Sequence, residues 1–157
     1  MIKAMNKQEQ RALASWAAKC AERVLPFFEK AYPKDKRPRK AIDALKKWIK
    51  TGVFKMKDIR KASLDAHSAA RKAKDSKACF AARAAGQAVA TAHVPQHAFG
   101  AAYYALKLAA TNAKIDKELS WQTNHIPKNL RKAWKKWQAQ RLPKNLKSQF
   151  IEYKKIR

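Results

Sequence analysis

Residues 81–105, AARAAGQAVATAHVPQHAFGAAYYA, hold one charged side chain, Arg83, in a chain otherwise loaded with lysine. Alanine and glycine make up much of the stretch, and neither carries enough side chain to hold two helix backbones apart. Pro95 stands in the middle, where it breaks a helix. The stretch therefore reads as two helices packed closely against each other at the centre of a helical protein. The rest of the chain agrees. Gly occurs three times and Pro six times, while Ala, Lys, Leu and Arg dominate, and these residues lose little on entering a helix. No window alternates polar and apolar residues with β-branched enrichment. The predicted fold class is all-α, a compact bundle of about seven helices around an Ala/Gly-rich central hairpin. A chain of 157 residues is expected to form a single helical domain over 1–157, with basic C-terminal helices at 127–157 packed on it.

Working outward, Asn6 followed by Glu9 has the form of a capping box at the start of a helix. Leu13, Trp16, Ala17, Cys20, Val24, Phe27 and Phe28 then recur at helical spacing as a buried stripe, with a kink expected at Pro26. YPKDKRPR (32–39) reads as a loop, with Pro38 opening a second helix whose inward face is Ala41, Ile42, Leu45, Trp48 and Ile49. Gly52 ends it. A third helix is expected from Met56 to Ala73, and Asp75 and Ser76 turn and cap the chain into a fourth. A fifth follows Pro95 through HAFGAAYYALKLAATNA. After IDKELSWQTNH come two proline-started helices that share PKNL, at 127–140 and 143–155.

Two histidines four apart, His93 and His97, raise the question of a metal. Zinc proteases that use this spacing place a glutamate directly after the first histidine, and here that residue is Val94. Pro95 also puts the two rings on different helices. Packing is the better reading, with Gly86, Gly100 and the alanines letting backbones approach and both imidazoles bonding to neighbouring helix ends. Arg71 and Arg83 project from Ala-rich helices and need carboxylate partners if buried; Glu22, Asp35 and Asp65 are the candidates. Together with the two histidines these residues form a candidate buried polar network. No nucleophile–base pair, phosphate-cradling glycine loop or paired acid site is present, so the chain is read as non-enzymatic, with no cofactor, metal or small-molecule substrate.

Charge is the extreme feature: 37 Lys plus Arg against 11 Asp plus Glu, a net +26. Solubility needs a net charge of only about 2–8 in a small domain, so an anionic partner is expected. The cations are segregated. Residues 34–60 hold eleven basic side chains and three acidic ones, 126–157 hold eleven and one, and 76–113 contain only Lys77, Arg83 and Lys107. Candidate partner-binding residues are Arg37, Arg39, Lys40, Lys46 and Lys47 in the first flank, and Arg131, Lys132, Trp134, Lys135, Lys136 and Trp137 in the second. Trp134 and Trp137 also suit a core stripe with Leu130 and Ala133. Cys20 and Cys79 lack CxxC or ligand spacing and read as two reduced, packed thiols. No signal peptide opens the chain, and residues 84–106, although uncharged, are too polar and alanine-rich for a membrane span. A cytoplasmic location is expected.

Several segments carry a resemblance. WAAKCAERVLPFFEKAYPKDKRPRKAIDALKKWIKTG, DAHSAARKA, AARAAGQAVATAHVPQHAFGAAYYALK and ELSWQTNHIPKNLR occur in that order between Trp16 and Arg131. In order and spacing they resemble the bacterial family of Imm-5-like immunity proteins. The resemblance implies a small helical protein that neutralises a partner, such as a toxin, by binding it, and it carries over no catalytic residues. This chain departs from the moderate charge the resemblance implies. Antidotes to nuclease toxins are expected to be acidic, to complement a basic nucleic-acid groove, so a +26 chain calls for an acidic protein. The alternative is sequence-nonspecific binding of DNA or RNA through the same cations. No C₂H₂ spacing, RNP-type motif or recognition helix accompanies them.

Overall fold

The computed structural model describes residues 5–142, and their fold is all-α. Seven α-helices follow one another: α1 (Lys7–Ala31), α2 (Arg37–Thr51), α3 (Met56–Lys72), α4 (Ser76–Ala90), α5 (His97–Thr111), α6 (Ile115–His125) and α7 (Arg131–Arg141). A 3-10 turn, Lys128–Leu130, precedes α7, and the helix expected over 143–155 lies outside the described residues. The ends form where local chemistry puts them. Asn6 Oδ1 accepts the Glu9 amide at 2.8 Å and Asn6 Nδ2 donates to Glu9 Oε1 at 2.9 Å. Gly52 closes α2 in the left-handed region at φ 70°, its N–H returning to the Trp48 carbonyl. Asp75 accepts from the Lys77 and Ala78 amides to start α4. Pro38 falls at the second position of α2 rather than the first.

Helix α4 lies at the centre, packed against α1, α2, α3 and α5, while α5 also meets α1 and α6. Alanine makes this possible: Ala78, Ala81, Ala82, Ala84, Ala85 and Ala88 are all fully buried. The bulk is supplied around them by Leu13, Trp16, Leu25, Phe28, Ile42, Leu45, Phe99, Leu106 and Trp134. Small residues inside and large ones outside fill the space to the density a core needs. The two glycines work differently from expectation. A Cβ on Gly86 would lie 2.7 Å from His67 Nε2, and one on Gly100 would lie 2.6 Å from Gln87 Oε1. They make room for a ring and an amide rather than for a neighbouring backbone.

Helix α1 continues past Pro26 to Ala31. Its far end packs through Phe28 and Tyr32, whose rings are 5.3 Å apart, and Tyr32 Oη accepts the Lys74 amide at 2.8 Å. This contact is made on the α3–α4 turn, so Phe27, placed in the stripe by spacing alone, is left 39% exposed. Across the bundle, Arg23 forks onto the Glu118 carboxylate of α6 at 2.8–3.2 Å and lies 4.1 Å over the Trp121 ring. Both cysteines are free; Cys20 is buried and Cys79 half-buried. Burial first, and then the nearby Glu118 charge, push the Cys20 thiol well above its ordinary value, which removes the reactive thiolate. An aromatic disulfide reagent is therefore expected to label Cys79 in the native protein and Cys20 only after unfolding; rapid labelling of both would contradict this packing.

Candidate functional site

Pro95 separates the two histidines. His93 lies in the turn after α4, exposed, its ring stacked on Phe54 at 6.3 Å and 17°. His97 is the first residue of α5, with Nδ1 2.9 Å from Gln87 Oε1 of α4. Neither ring bonds a helix end, contrary to expectation: one meets an aromatic face and the other an amide. Among the described residues no group of three or more His, Cys, Asp and Glu could hold a metal ion.

The carboxylates expected for Arg71 and Arg83 are engaged elsewhere. Glu22 pairs with Lys46 at 2.8 Å, Asp35 with Arg37 at 2.7 Å, and Asp65 with Lys61 at 2.6 Å. Arg71 is exposed and has no ion pair among the described residues. Arg83 instead places Nη1 2.9 Å from His67 Nδ1. The reason is helical phase. Asp65 and His67 are two residues apart on α3 and so point to nearly opposite sides, and the side toward α4 is the one carrying His67. Beside it, Ser63 Oγ donates to the Gly86 carbonyl at 3.0 Å. Guanidinium can only donate, so Nδ1 of His67 is the unprotonated nitrogen. Burial first, then the charges of Arg83, Arg71 and His97, lower the His67 pKa from 6.5 to about 4. Sequence reading weighed His67 only as a distant third ligand for a metal and not as the partner of Arg83, although Ser63, His67 and Arg71 recur at four-residue spacing on an otherwise alanine-rich face.

The basic flanks divide into paired and unpaired cations. Arg37 and Arg39 are held by Asp35 and Glu29, which lifts each guanidinium pKa and lowers each carboxyl pKa through the hydrogen bonds between them. Lys46 is held by Glu22. Lys40, Lys47, Lys132, Lys135 and Lys136 are exposed and have no ion pair among the described residues. Arg131 is half-buried, its Nη2 3.4 Å from the Asn124 carbonyl. Trp134 is not a surface anchor. It is fully buried among Trp16, Phe99 and Trp137, with ring centroids 5.4–5.5 Å away. The core stripe with Leu130 and Ala133 is the arrangement adopted, and Trp137 is partly buried against it.

A surface not anticipated from the sequence lies at the α2–α3 corner. Of the five exposed large apolar side chains among the described residues, three are here, Val53 (62%), Phe54 (38%) and Met56 (42%), and Leu64 (57%) lies two turns further along α3. The corner is held in shape. Arg11 donates to the carbonyls of Ile49 and Lys50, Thr51 Oγ1 accepts the Val53 amide at 3.2 Å, and Phe54 rests on His93. Lys50, Lys55, Lys57, Arg60 and Lys61 are exposed around it. The only sequence signal was VF, then Met56 after one lysine, directly behind a helix-ending glycine: three apolar residues with no helical phase to bury them.

A cleft of about 300 Å³ opens where α4 and α5 face α7. Gln87, His97 and Gly100 contribute from the α4–α5 side, and Lys136, Trp137 and Arg141 from α7. Among the described residues no acidic side chain lines it. Among the described residues no helix is long and apolar enough to cross a membrane.

Compared with known proteins, residues 3–129 match a family model described as Imm-5 like putative immunity protein. No curated protein and no solved structure matches the chain.

Proposed function

The chain belongs to the Imm-5 like putative immunity protein family, and from that premise we propose that it is a non-enzymatic binding protein that neutralises an acidic partner protein by direct contact. The observation that carries this reading is the α2–α3 corner. Scattered single apolar residues are normal on a surface, but a contiguous group marks an interaction site. Here Val53, Phe54 and Met56 are exposed within four residues of the chain, Leu64 is exposed two helical turns further along α3, and Lys50, Lys55, Lys57, Arg60 and Lys61 outnumber the exposed Asp58 on the same segment. An apolar centre with a charged rim is the anatomy of a protein interface, and the sign of the rim selects an acidic partner and speeds its approach. The anchoring by Arg11, Thr51 and His93 holds the corner in shape before binding, which lowers the entropic cost of association.

The test is binding of the full chain to the product of the adjoining reading frame. A saturable complex is expected. The double variant Val53→Glu, Leu64→Glu should weaken it at least tenfold while moving stability by no more than about 0.5 kcal/mol, since both side chains are exposed. Unchanged affinity in a folded variant would remove the corner from the interface.

A second reading is favoured by Lys40, Lys47, Lys132, Lys135 and Lys136, which are exposed and have no ion pair among the described residues. Such cations suit a phosphate backbone, without base readout. Binding of any duplex, weakening by roughly 10³–10⁵ between 50 and 200 mM salt, would favour nucleic acid. Binding that survives 200 mM salt and depends on Val53 and Leu64 would favour the protein partner.

A further inference from the structure

Among the described residues, Arg83 is the one half-buried arginine that meets no oxygen. Arg11 donates to the Ile49 and Lys50 carbonyls, Arg37 and Arg39 to the carboxylates of Asp35 and Glu29, and Arg131 to the Asn124 carbonyl. Arg83 has only Nδ1 of His67, 2.9 Å from its Nη1. The difference is electrical. A carboxylate cancels the charge it holds, whereas a neutral ring fixes one edge of the guanidinium and leaves the whole charge in place. The other donors of Arg83 are not sealed into the core, so they face space that solvent reaches. The seat under this contact is built. A Cβ on Gly86 would lie 2.7 Å from His67 Nε2, so the glycine makes room for the ring, and Ser63 Oγ ties α3 to α4 through the Gly86 carbonyl at 3.0 Å.

A second cation stands beside the first. Arg71 lies one turn beyond His67 on the same side of α3, exposed and with no ion pair among the described residues. The charges of Arg83 on α4 and Arg71 on α3 both bear on the His67 ring, followed by that of His97 on α5; no acid is among them, and α2, which also packs on α3, contributes none. The acids nearest in sequence turn away or are taken. Asp58 and Asp65 are nine and two residues from His67, which puts both on the opposite side of the helix. Asp75 is held by the Lys77 and Ala78 amides at the start of α4. Overall positive charge attracts any anion, but a guanidinium held at a fixed angle presents paired N–H groups that match two oxygens of a phosphate. We propose that Arg83 and Arg71, with His67 as the positioning residue between them, bind a phosphate dianion, free or as the terminal group of a phosphomonoester. None of the α2–α3 corner residues takes part, so the site stands or falls without that surface.

Two measurements on the full chain test it. Calorimetry at about 150 mM chloride, where exposed charges more than roughly 8 Å apart are screened, should show saturable one-to-one binding of inorganic phosphate or glycerol phosphate, and the tighter of the two tells which source carries the group. Arg83→Gln should weaken binding by about tenfold or more. Arg71→Gln changes an exposed side chain, leaves the fold alone and should cost about threefold. The remote Lys47→Gln should change nothing. The second measurement follows the His67 ring by NMR in sulfate and in chloride of equal ionic strength, sulfate keeping both charges throughout the titration. An anion between the arginines favours the protonated ring, so His67 should titrate at higher pH in sulfate. In Arg83→Gln or Arg71→Gln it should titrate higher already in chloride, because a like charge is gone, and sulfate should add little. The same His67 titration in both salts, no saturation by about 10 mM phosphate, binding untouched by Arg83→Gln, or an equal loss in Lys47→Gln would each overturn the proposal. The last two would mean that the overall charge, not this pair, holds the anion.

Discussion

Trp134→Ala is expected to cost about 3–5 kcal/mol of folding stability, read as a fall in the urea midpoint. That is a large share of the ~5–15 kcal/mol that holds a domain folded. The indole is fully buried. It meets Trp16 edge-on at 5.4 Å and 71°, stacks on Phe99 at 5.5 Å and 28°, and stacks on Trp137 at 5.4 Å and 19°. Trp16 belongs to α1, Phe99 to α5 and Trp137 to α7, so one side chain joins the last described helix to the two that precede it in the core. Truncation leaves a cavity with aromatic walls that cannot close without moving α7. Trp134→Phe should be far milder, below about 1.5 kcal/mol. The indole Nε1 has no hydrogen-bond partner among the described residues, so phenylalanine gives up volume but no hydrogen bond. Equal losses for the two variants would mean that Nε1 is bonded after all. A loss below about 1 kcal/mol for alanine would mean that α7 is not docked through this ring.

What the sequence revealed and what it hid follow a physical divide. Helix identity and most ends were legible, because caps and breakers act within a few residues: Asn6 with Glu9, Gly52, Asp75 and Pro95 all do locally what their chemistry dictates. The alanine-rich centre was legible for a related reason, since a side chain as small as alanine can be surrounded closely on every side. Pairing was not legible. Arg83 has no local reason to choose His67 over Asp65; the choice follows from which side of α3 meets α4. Exposure was equally hidden. Phe27 keeps the spacing of the α1 stripe yet ends outside it, while Phe28 is buried against Tyr32, whose hydroxyl takes the contact with the α3–α4 turn. Val53 and Phe54 look like core residues until the corner they occupy is seen to have no helix across it. The cleft is hidden most deeply, its parts lying near residues 87, 97 and 136–141, a juxtaposition that only the packed bundle creates.

Acidification should destabilise the protein before its carboxylates titrate, through His67. The ordinary histidine pKa is 6.5 and the folded value is about 4, so the unfolded chain binds the proton first. Between those values the folded state carries fewer protons, stability rises with pH, and the contribution is lost as pH falls through the window. Burial opposes protonation first, and the Arg83 contact adds to it: Nδ1 must give up the hydrogen bond from Arg83, and two like charges would then face each other at 2.9 Å. Because water reaches part of the ring, the expected loss between pH 7 and pH 4 is about 1–2 kcal/mol, less than the full shift implies. His97, also lowered, adds in the same direction. Glu29 and Asp35 are depressed below 4.5 and 3.8, so their contributions disappear only at lower pH. Gly86 provides the independent check. Gly86→Ala drives a Cβ to 2.7–2.9 Å from three atoms of the His67 ring. Overpacking of that kind costs ~1–3 kcal/mol, against a helix-propensity gain of about 1 kcal/mol. With His67→Ala already present the clash is gone, so the same glycine change should become neutral or stabilising, a coupling of roughly 0.5–3 kcal/mol. A shallower pH 4–6.5 slope in His67→Ala, with only the His97 part left, together with that reversal of sign, would tie both effects to one ring seated on one glycine; additive effects and an unchanged slope would separate them.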